Sequence, residues 1–148
     1  MVAKMPYKNL TQVMKFVKIQ ILESVPFACE VCPDFSPEHP EKLFDWLKSW
    51  VKYLNDPKGV ELLQTMQTMY NRGGYGDCDC FTITTVACMY ACGYRHIDVI
   101  LVGRKPNNAV HIYTQCVING ERYTFDLTNR YFDTERKYPY KQVLRFKI

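Results

Sequence analysis

The sequence predicts an α+β domain in which helices come first and a meander of strands follows. Three observations carry this. Apolar residues recur at three- and four-residue steps in the first half, β-branched runs replace them in the second, and Asn119-Gly120 separates two such runs as a two-residue hairpin turn. At 148 residues the chain is one domain, 1–148, long enough to bury a core.

Between residues 7 and 25, Leu10, Val13, Met14, Val17 and Ile21 fit a helix, although Phe16 to Ile21 also alternates as a strand would. Helix is the favoured reading. Prolines at 26, 33, 37 and 40 predict an irregular connection holding Cys29-Glu30-Val31-Cys32. Ser36-Pro37 reads as an N-cap and first-turn proline, opening a helix with Leu43, Leu47, Trp50 and Leu54 on one face. Asn55 to Gly59 breaks it, and Val60, Leu63, Met66 and Tyr70 suggest a second, short helix. Arg72-Gly73-Gly74-Tyr75-Gly76 then supplies a loop that can turn sharply. Asp77 caps the next helix, whose body Phe81–Cys92 is nearly uncharged and so reads as buried, and Gly93 ends it. Its run Thr82-Ile83-Thr84-Thr85-Val86 is β-branched and weak in helix propensity. Strands are predicted at Ile97–Val102, Val110–Ile118 and Glu121–Leu127, with Val143–Ile148 as an edge.

Cys78 falls in the first turn after the Asp77 cap, where free N–H groups and the helix dipole favour a thiolate. It is the candidate nucleophile. If Asn119 and Gly120 are the central turn residues, Ile118 pairs with Glu121, Tyr113 lies opposite Asp126, and His111 becomes a diagonal neighbour of Asp126 on one face. A helix crossing that more polar side would bring Cys78 to both. Cys80 points about 200° away from Cys78 on the helix, and Phe81, Thr85, Cys88 and Cys92 continue the Cys78 stripe expected to pack on the sheet. A charge on Asp79 would raise the Cys78 pKa, so Asp79 is expected to point away. His39 and His96 read as local hydrogen-bonding residues, and Asp98 as a turn acceptor.

The +4 net charge is scattered and forms no basic stripe, which disfavours nucleic acid as a partner. No leader-like or membrane-spanning apolar stretch is seen, so a soluble, cytoplasmic protein without a membrane partner is expected. Seven cysteines, an odd number, then read as reduced thiols. The competing class is a structural zinc site at Cys29, Cys32, Cys78 and Cys80. It is disfavoured because Cys78-x-Cys80 is tight for zinc and His111 and Asp126 go unused, so no metal and no cofactor are expected.

In order along the chain, Gly76-Asp77-Cys78-Asp79-Cys80, Ala91-Cys92-Gly93-Tyr94, Val110-His111-Ile112-Tyr113 and Tyr123-Thr124-Phe125-Asp126-Leu127-Thr128 resemble the Cys, His and Asp blocks of the transglutaminase-like superfamily. The likeness is strongest to its compact bacterial and phage members, in which a segment similar to Val51–Pro57 precedes Gly-Asp-Cys-Asp. It covers about residues 43–130. Two positions depart: Cys80, where relatives often have a second Asp, and Ile112-Tyr113, where larger members place an aromatic directly after the His. The resemblance implies a papain-like core, with N-terminal helices and a central Cys-bearing helix on an antiparallel sheet. It also implies cysteine-dependent acyl transfer through a thioacyl intermediate, with Cys78 as nucleophile, His111 as base and Asp126 orienting it. Water resolving that intermediate gives a peptidase or amidase, the favoured outcome. An amine gives a transglutaminase, and a silent triad gives a scaffold. Oxyanion donors would be the Cys78 N–H and one of Gln67, Asn71 or Tyr75. A peptide or protein substrate is implied, in particle or host-protein processing, with virion association if the chain is phage-encoded.

Overall fold

In the computed structural model, which describes residues 2–6, 10–56 and 60–147, strand β1 (Val2–Pro6) leads to a long helix α1 (Leu10–Val31) and a second helix α2 (Pro40–Trp50). Strands β2 (Lys52–Tyr53) and β3 (Val60–Gln64), helix α3 (Met66–Asn71) and strand β4 (Tyr75–Gly76) then bring the chain to helix α4 (Cys78–Ala91). Four strands follow: β5 (Ile97–Gly103), β6 (His111–Ile118), β7 (Glu121–Phe125) and β8 (Tyr140–Arg145).

Every residue of α4 from Asp79 to Met89 is buried, as the lack of charge from Cys80 onward predicts. Helix α1 covers one side of it and the sheet the other. The stripe Val13, Val17, Ile21, Ser24 and Ala28 faces this core at three- and four-residue steps, and it continues beyond Pro26. The irregular connection expected from Pro26 onward is therefore wrong over residues 26–31. Pro26 is exposed, so the one helical bond it removes lies on the solvent face, while buried Ala28 keeps the chain helical through Val31. Helix α2 begins at Pro40, with His39 as N-cap, rather than at Ser36-Pro37, and buries Leu43, Phe44 and Leu47. Leu54 lies beyond its end, exposed.

The short helix expected from Val60 is split. Val60–Gln64 is strand β3, paired antiparallel with β1 from Pro6↔Val60 to Val2↔Gln64, and only Met66–Asn71 is helical, capped by Thr65. A partner more than fifty residues away overrides the local period. The expected break at Asn55–Gly59 falls partly on 57–59, outside the described residues.

The main sheet has the order β7-β6-β5-β8, all antiparallel. The hairpin register runs from Ile118↔Glu121 to Thr114↔Phe125, as the turn predicts, and Asn119 (φ 53°) and Gly120 (φ 82°) both take the left-handed conformation of a type I′ turn. The edge strand β8 starts at Tyr140, earlier than expected, and Ile148 lies outside the described residues. Ile112, Cys116, Phe125 and Leu127 share the main core with α4, while Ile100, Val102 and Tyr113 form a smaller cluster under Tyr138. Helix α4 thus packs on the apolar face, not across the His111 side, because its buried body has no polar face to offer there.

Candidate active site

The start of α4 is held from three directions. The Asp77 carboxylate accepts from the Cys80 N–H, completing the cap. Strand β2 pairs in parallel with β4, which pins the loop before the cysteine. Buried Gln64 donates from Nε2 to the Tyr75 carbonyl at 2.8 Å and to the Cys80 sulfur at 3.6 Å. In that loop Gly74 (φ +86°) is required, since a Cβ there would lie 2.0 Å from the Trp50 carbonyl oxygen.

Cys78 and Cys80 look in different directions, as their spacing demands. Cys80 is buried toward the Leu62 carbonyl and Gln64, whereas Cys78 is half-buried and its sulfur accepts a hydrogen bond from the Ile112 N–H. The stripe argument holds only at this first turn. Cys88 faces Met66 of α3 (Sγ–Sδ 3.6 Å) and Cys92 faces Cys32 (Sγ–Sγ 3.7 Å), so the lower thiols turn toward the helices rather than continuing along the sheet.

His111 opens β6, and its Nε2 lies 2.6 Å from Asp126 Oδ2. The Nε2–H donates to the carboxylate, which leaves Nδ1 as the free ring nitrogen. The ring tilts against Tyr113 (centroids 5.7 Å apart) and stacks on Tyr138 (6.4 Å), which fixes its plane. Asp126 lies just past the end of β7 in a turn closed by Asn129 N–H to the Asp126 carbonyl (2.9 Å). Its Oδ1 accepts from both the N–H (3.1 Å) and the hydroxyl (2.6 Å) of Thr128. Burial pushes this carboxyl up, but the His111 and Thr128 hydrogen bonds outweigh it and hold it below its ordinary value. Lys48 of α2 donates to the Leu127 carbonyl at 2.9 Å, tying the turn to the helical layer.

The thiolate expectation is reversed. Burial pushes the Cys78 thiol well above its ordinary pKa, Asp79 and then Asp77 push it further, and the Ile112 N–H pulls the other way. Asp79 does not point away: it is fully buried and clusters with Asp77 and Cys80. The same two carboxylates, after burial, raise Cys80. At neutral pH both rest as neutral thiols.

The zinc alternative is overturned. Cys29 is exposed on α1 and Cys32 lies against Cys92, the full length of α4 away from Cys78 and Cys80, about 20 Å at 1.5 Å per residue. Gln67 and Asn71 sit on the solvent face of α3, and Tyr75 is exposed on β4 beneath the Lys52 ammonium. The neighbour that sequence reasoning missed is Tyr53. Its ring meets Phe81 edge-on, its hydroxyl is pushed up first by burial and then by Cys78, and it lines a cavity of about 260 Å³ with His111, Thr128 and Arg136. Its only sequence signal was a place in the Val51–Pro57 block. Asp98, expected as a turn acceptor, is instead a buried carboxylate held by Arg122 (2.9 Å), Arg145 (2.8 Å) and His96 (3.1 Å), toward the far end of the sheet.

No protein-family model matches the chain, and no curated protein matches it. Among solved structures, a chain from Parabacteroides distasonis described as a "putative protease" shares the fold, with a TM-score of 0.55 at 14% identity over 84% of this chain and 28% of that one. A "putative cysteine protease" from Cytophaga hutchinsonii superposes with a TM-score of 0.46 at 15% identity, over 84% of this chain and 40% of that one. EGTA-treated Legionella pneumophila LapG gives 0.49 at 14% identity, over 86% and 75%. At such identities the likeness is one of fold, and this chain spans only 28% of the first relative's length. Among the described residues, no helix is long and apolar enough to cross a membrane.

Proposed function

We propose that this chain is a transglutaminase-like cysteine peptidase or amidase, with Cys78 as nucleophile, His111 as base and Asp126 as the carboxylate that orients the imidazole. One observation carries the reading: the 2.6 Å His111–Asp126 pair stands next in sequence to the Ile112 amide that hydrogen-bonds the Cys78 sulfur. The fold likeness to protease structures is consistent with it.

The resting thiol, rather than a preformed ion pair, sets the order of events. As sulfur attacks the acyl carbon, its proton passes to His111 Nδ1. The S–C bond forms, the C–N bond breaks, and His111 returns the proton to the leaving amine. Water then adds to the thioester while His111 takes its proton, and the C–S bond breaks to release acid and thiol. Asp126, kept ionised, stabilises the imidazolium in both halves. Oxyanion donors are the Cys78 N–H, outside the helical ladder at the first position, and the Tyr53 hydroxyl, which lines the same cavity as His111 and would turn to the oxyanion from Asn55 Oδ1, its 2.7 Å acceptor in the resting site. Gln67, Asn71 and Tyr75, the donors expected from sequence, rank behind it because they do not line that cavity.

Hydrolysis is favoured over amine transfer because the His111 cavity opens to solvent past exposed Tyr53, so water reaches the thioester. Peptidyl acyloxymethyl ketone probes test this by intact mass. Labelling at Cys78 that disappears in Cys78→Ser and slows in His111→Ala is the expected result. Unchanged labelling in Cys78→Ser overturns it. Product analysis with added amines separates hydrolysis from transglutamination. The proposed role is protein processing, in the cytoplasm or on a virion.

A further inference from the structure

The cavity beside His111 carries a cation that acyl transfer does not use. Arg136 lies in the connection between β7 and β8 and lines the same space as His111, Tyr53 and Thr128. Its side chain is exposed but tethered at Nε. Arg136 Nε donates to Asn129 Oδ1 at 2.9 Å, and Asn129, itself buried, donates from Nδ2 to the Thr134 carbonyl at 2.7 Å. Because the Asn129 N–H closes the Asp126 turn, the turn that presents the carboxylate to His111 also sets the position of the guanidinium.

The anions nearby are committed elsewhere. Asp126 is bonded by His111 and Thr128, and Glu135 by Tyr113 (Oη–Oε2 in contact), Gln115 (2.9 Å) and Lys141 (2.8 Å). Among the described residues, Arg136 has no carboxylate within ion-pair distance. With Nε spent on Asn129, the two Nη groups remain, and their fork matches two carboxylate oxygens. A space of about 260 Å³ suits one or two side chains, not a large ligand.

We infer that Arg136 is a specificity residue that selects a carboxylate in the substrate, either an Asp or Glu side chain beside the scissile bond or a free C-terminus. The inference deepens the cysteine peptidase reading and rests on it for the word substrate. A tethered cation in a cavity is also a binding site in its own right, so binding and chemistry are read separately.

Fluorescein-labelled hexapeptides carrying Glu, Gln or Lys at scanned positions, each as free acid and as C-terminal amide, are titrated by anisotropy into Cys78→Ser, which removes turnover. Expected is a preference of about 10–100-fold for Glu over Gln, or for acid over amide, the size of one charge-assisted pair. Which of the two contrasts appears identifies the source of the carboxylate. Arg136→Gln in the same background removes the preference, Arg136→Lys restores part of it, and Arg136→Glu turns it toward Lys peptides, a reversal that loss of structure cannot produce. Equal binding of Glu, Gln, acid and amide peptides overturns the inference, as does a preference that survives Arg136→Gln, and absence of any binding overturns it too. The wild-type chain is labelled in parallel with acyloxymethyl ketones of the same peptides. Charge-indifferent labelling at Cys78 leaves the peptidase reading standing and sinks Arg136, whereas charge-selective binding without labelling does the opposite.

Discussion

Helix α4 carries thiols at both ends, Cys78 and Cys80 in its first turn and Cys88 and Cys92 at its last, and the two ends place sulfur in different company. At the start stand a capping carboxylate, a second buried one and the Ile112 strand amide, next in sequence to the oriented His111 imidazole. At the finish stand Cys32, the Met66 thioether and the Pro33 carbonyl, all within 3.7 Å, with a Phe35 backbone hydrogen bond and the Asp34 carboxylate also acting on Cys92. All four residues sit on one helix within 15 positions. A raised thiol pKa does not separate the ends either. Burial leads at Cys78, and the Cys32 thiol followed by burial leads at Cys92. What separates them in the proposed chemistry is the His111–Asp126 pair, next in sequence to the Ile112 amide that bonds Cys78.

The sharpest way to break this comparison is to exchange sulfur for oxygen at each end. Cys78→Ser should lower peptidyl-probe acylation or turnover by about 10³-fold or more, while Cys92→Ser stays within about twofold of wild type. Equal losses at both ends would abolish the distinction. Glycines at the two ends give the next largest contrast. Gly74 and Gly93 share φ +86°, yet a Cβ at Gly74 meets the Trp50 carbonyl at 2.0 Å and one at Gly93 meets nothing within 4 Å. Gly74→Ala should cost more than about 3 kcal/mol and Gly93→Ala about 1 kcal/mol in urea denaturation.

A third test uses acid. The Asp126 carboxyl is pushed up by burial but held below its ordinary 3.8 by His111 and Thr128, so its contribution to stability is complete above that value and is lost as pH falls through the lower folded pKa. Asp126→Asn should cost roughly 1–2 kcal/mol at neutral pH and flatten the acid limb of the stability curve. The Cys92 thiol at the other end, pushed up by Cys32 and then by burial, adds no slope in acid. The smallest effect is expected from Asp77→Asn, which keeps a competent cap but removes a like charge near Cys78. The pH midpoint of Cys78 alkylation by iodoacetamide should move down with stability within about 0.5 kcal/mol of wild type.

The parts of this molecule that were legible in the sequence are those set by neighbours along the chain. The Asn119-Gly120 turn dictated a register, and the register placed His111 and Asp126 side by side. The Asp77 cap and the Gly93 stop bounded α4 for the same local reason. Where the outcome depended on a distant partner, the reading failed. Strand β3 exists because β1 is there to pair with it, and α1 outlasts Pro26 because α4 receives Ala28. The lowered thiol pKa was inferred from the helix start alone, and it lost to burial and to Asp79, whose inward direction no spacing rule fixes. Tyr53 and Arg136 reach the site from 25 residues before Cys78 and 10 after Asp126, with no period or turn to announce them.

The β-branched body of α4 has a consequence outside the native state. Phe81-Thr82-Ile83-Thr84-Thr85-Val86 contains no charge, no proline and no glycine, and it is helical only while α1 and the sheet enclose it. Released from that enclosure, the same six residues match the pattern of self-complementary strands that stack into cross-β fibres. The segment that follows Cys78 is thus also an aggregation seed, and heat or acid that opens the helical layer should end in precipitate rather than in a refoldable chain.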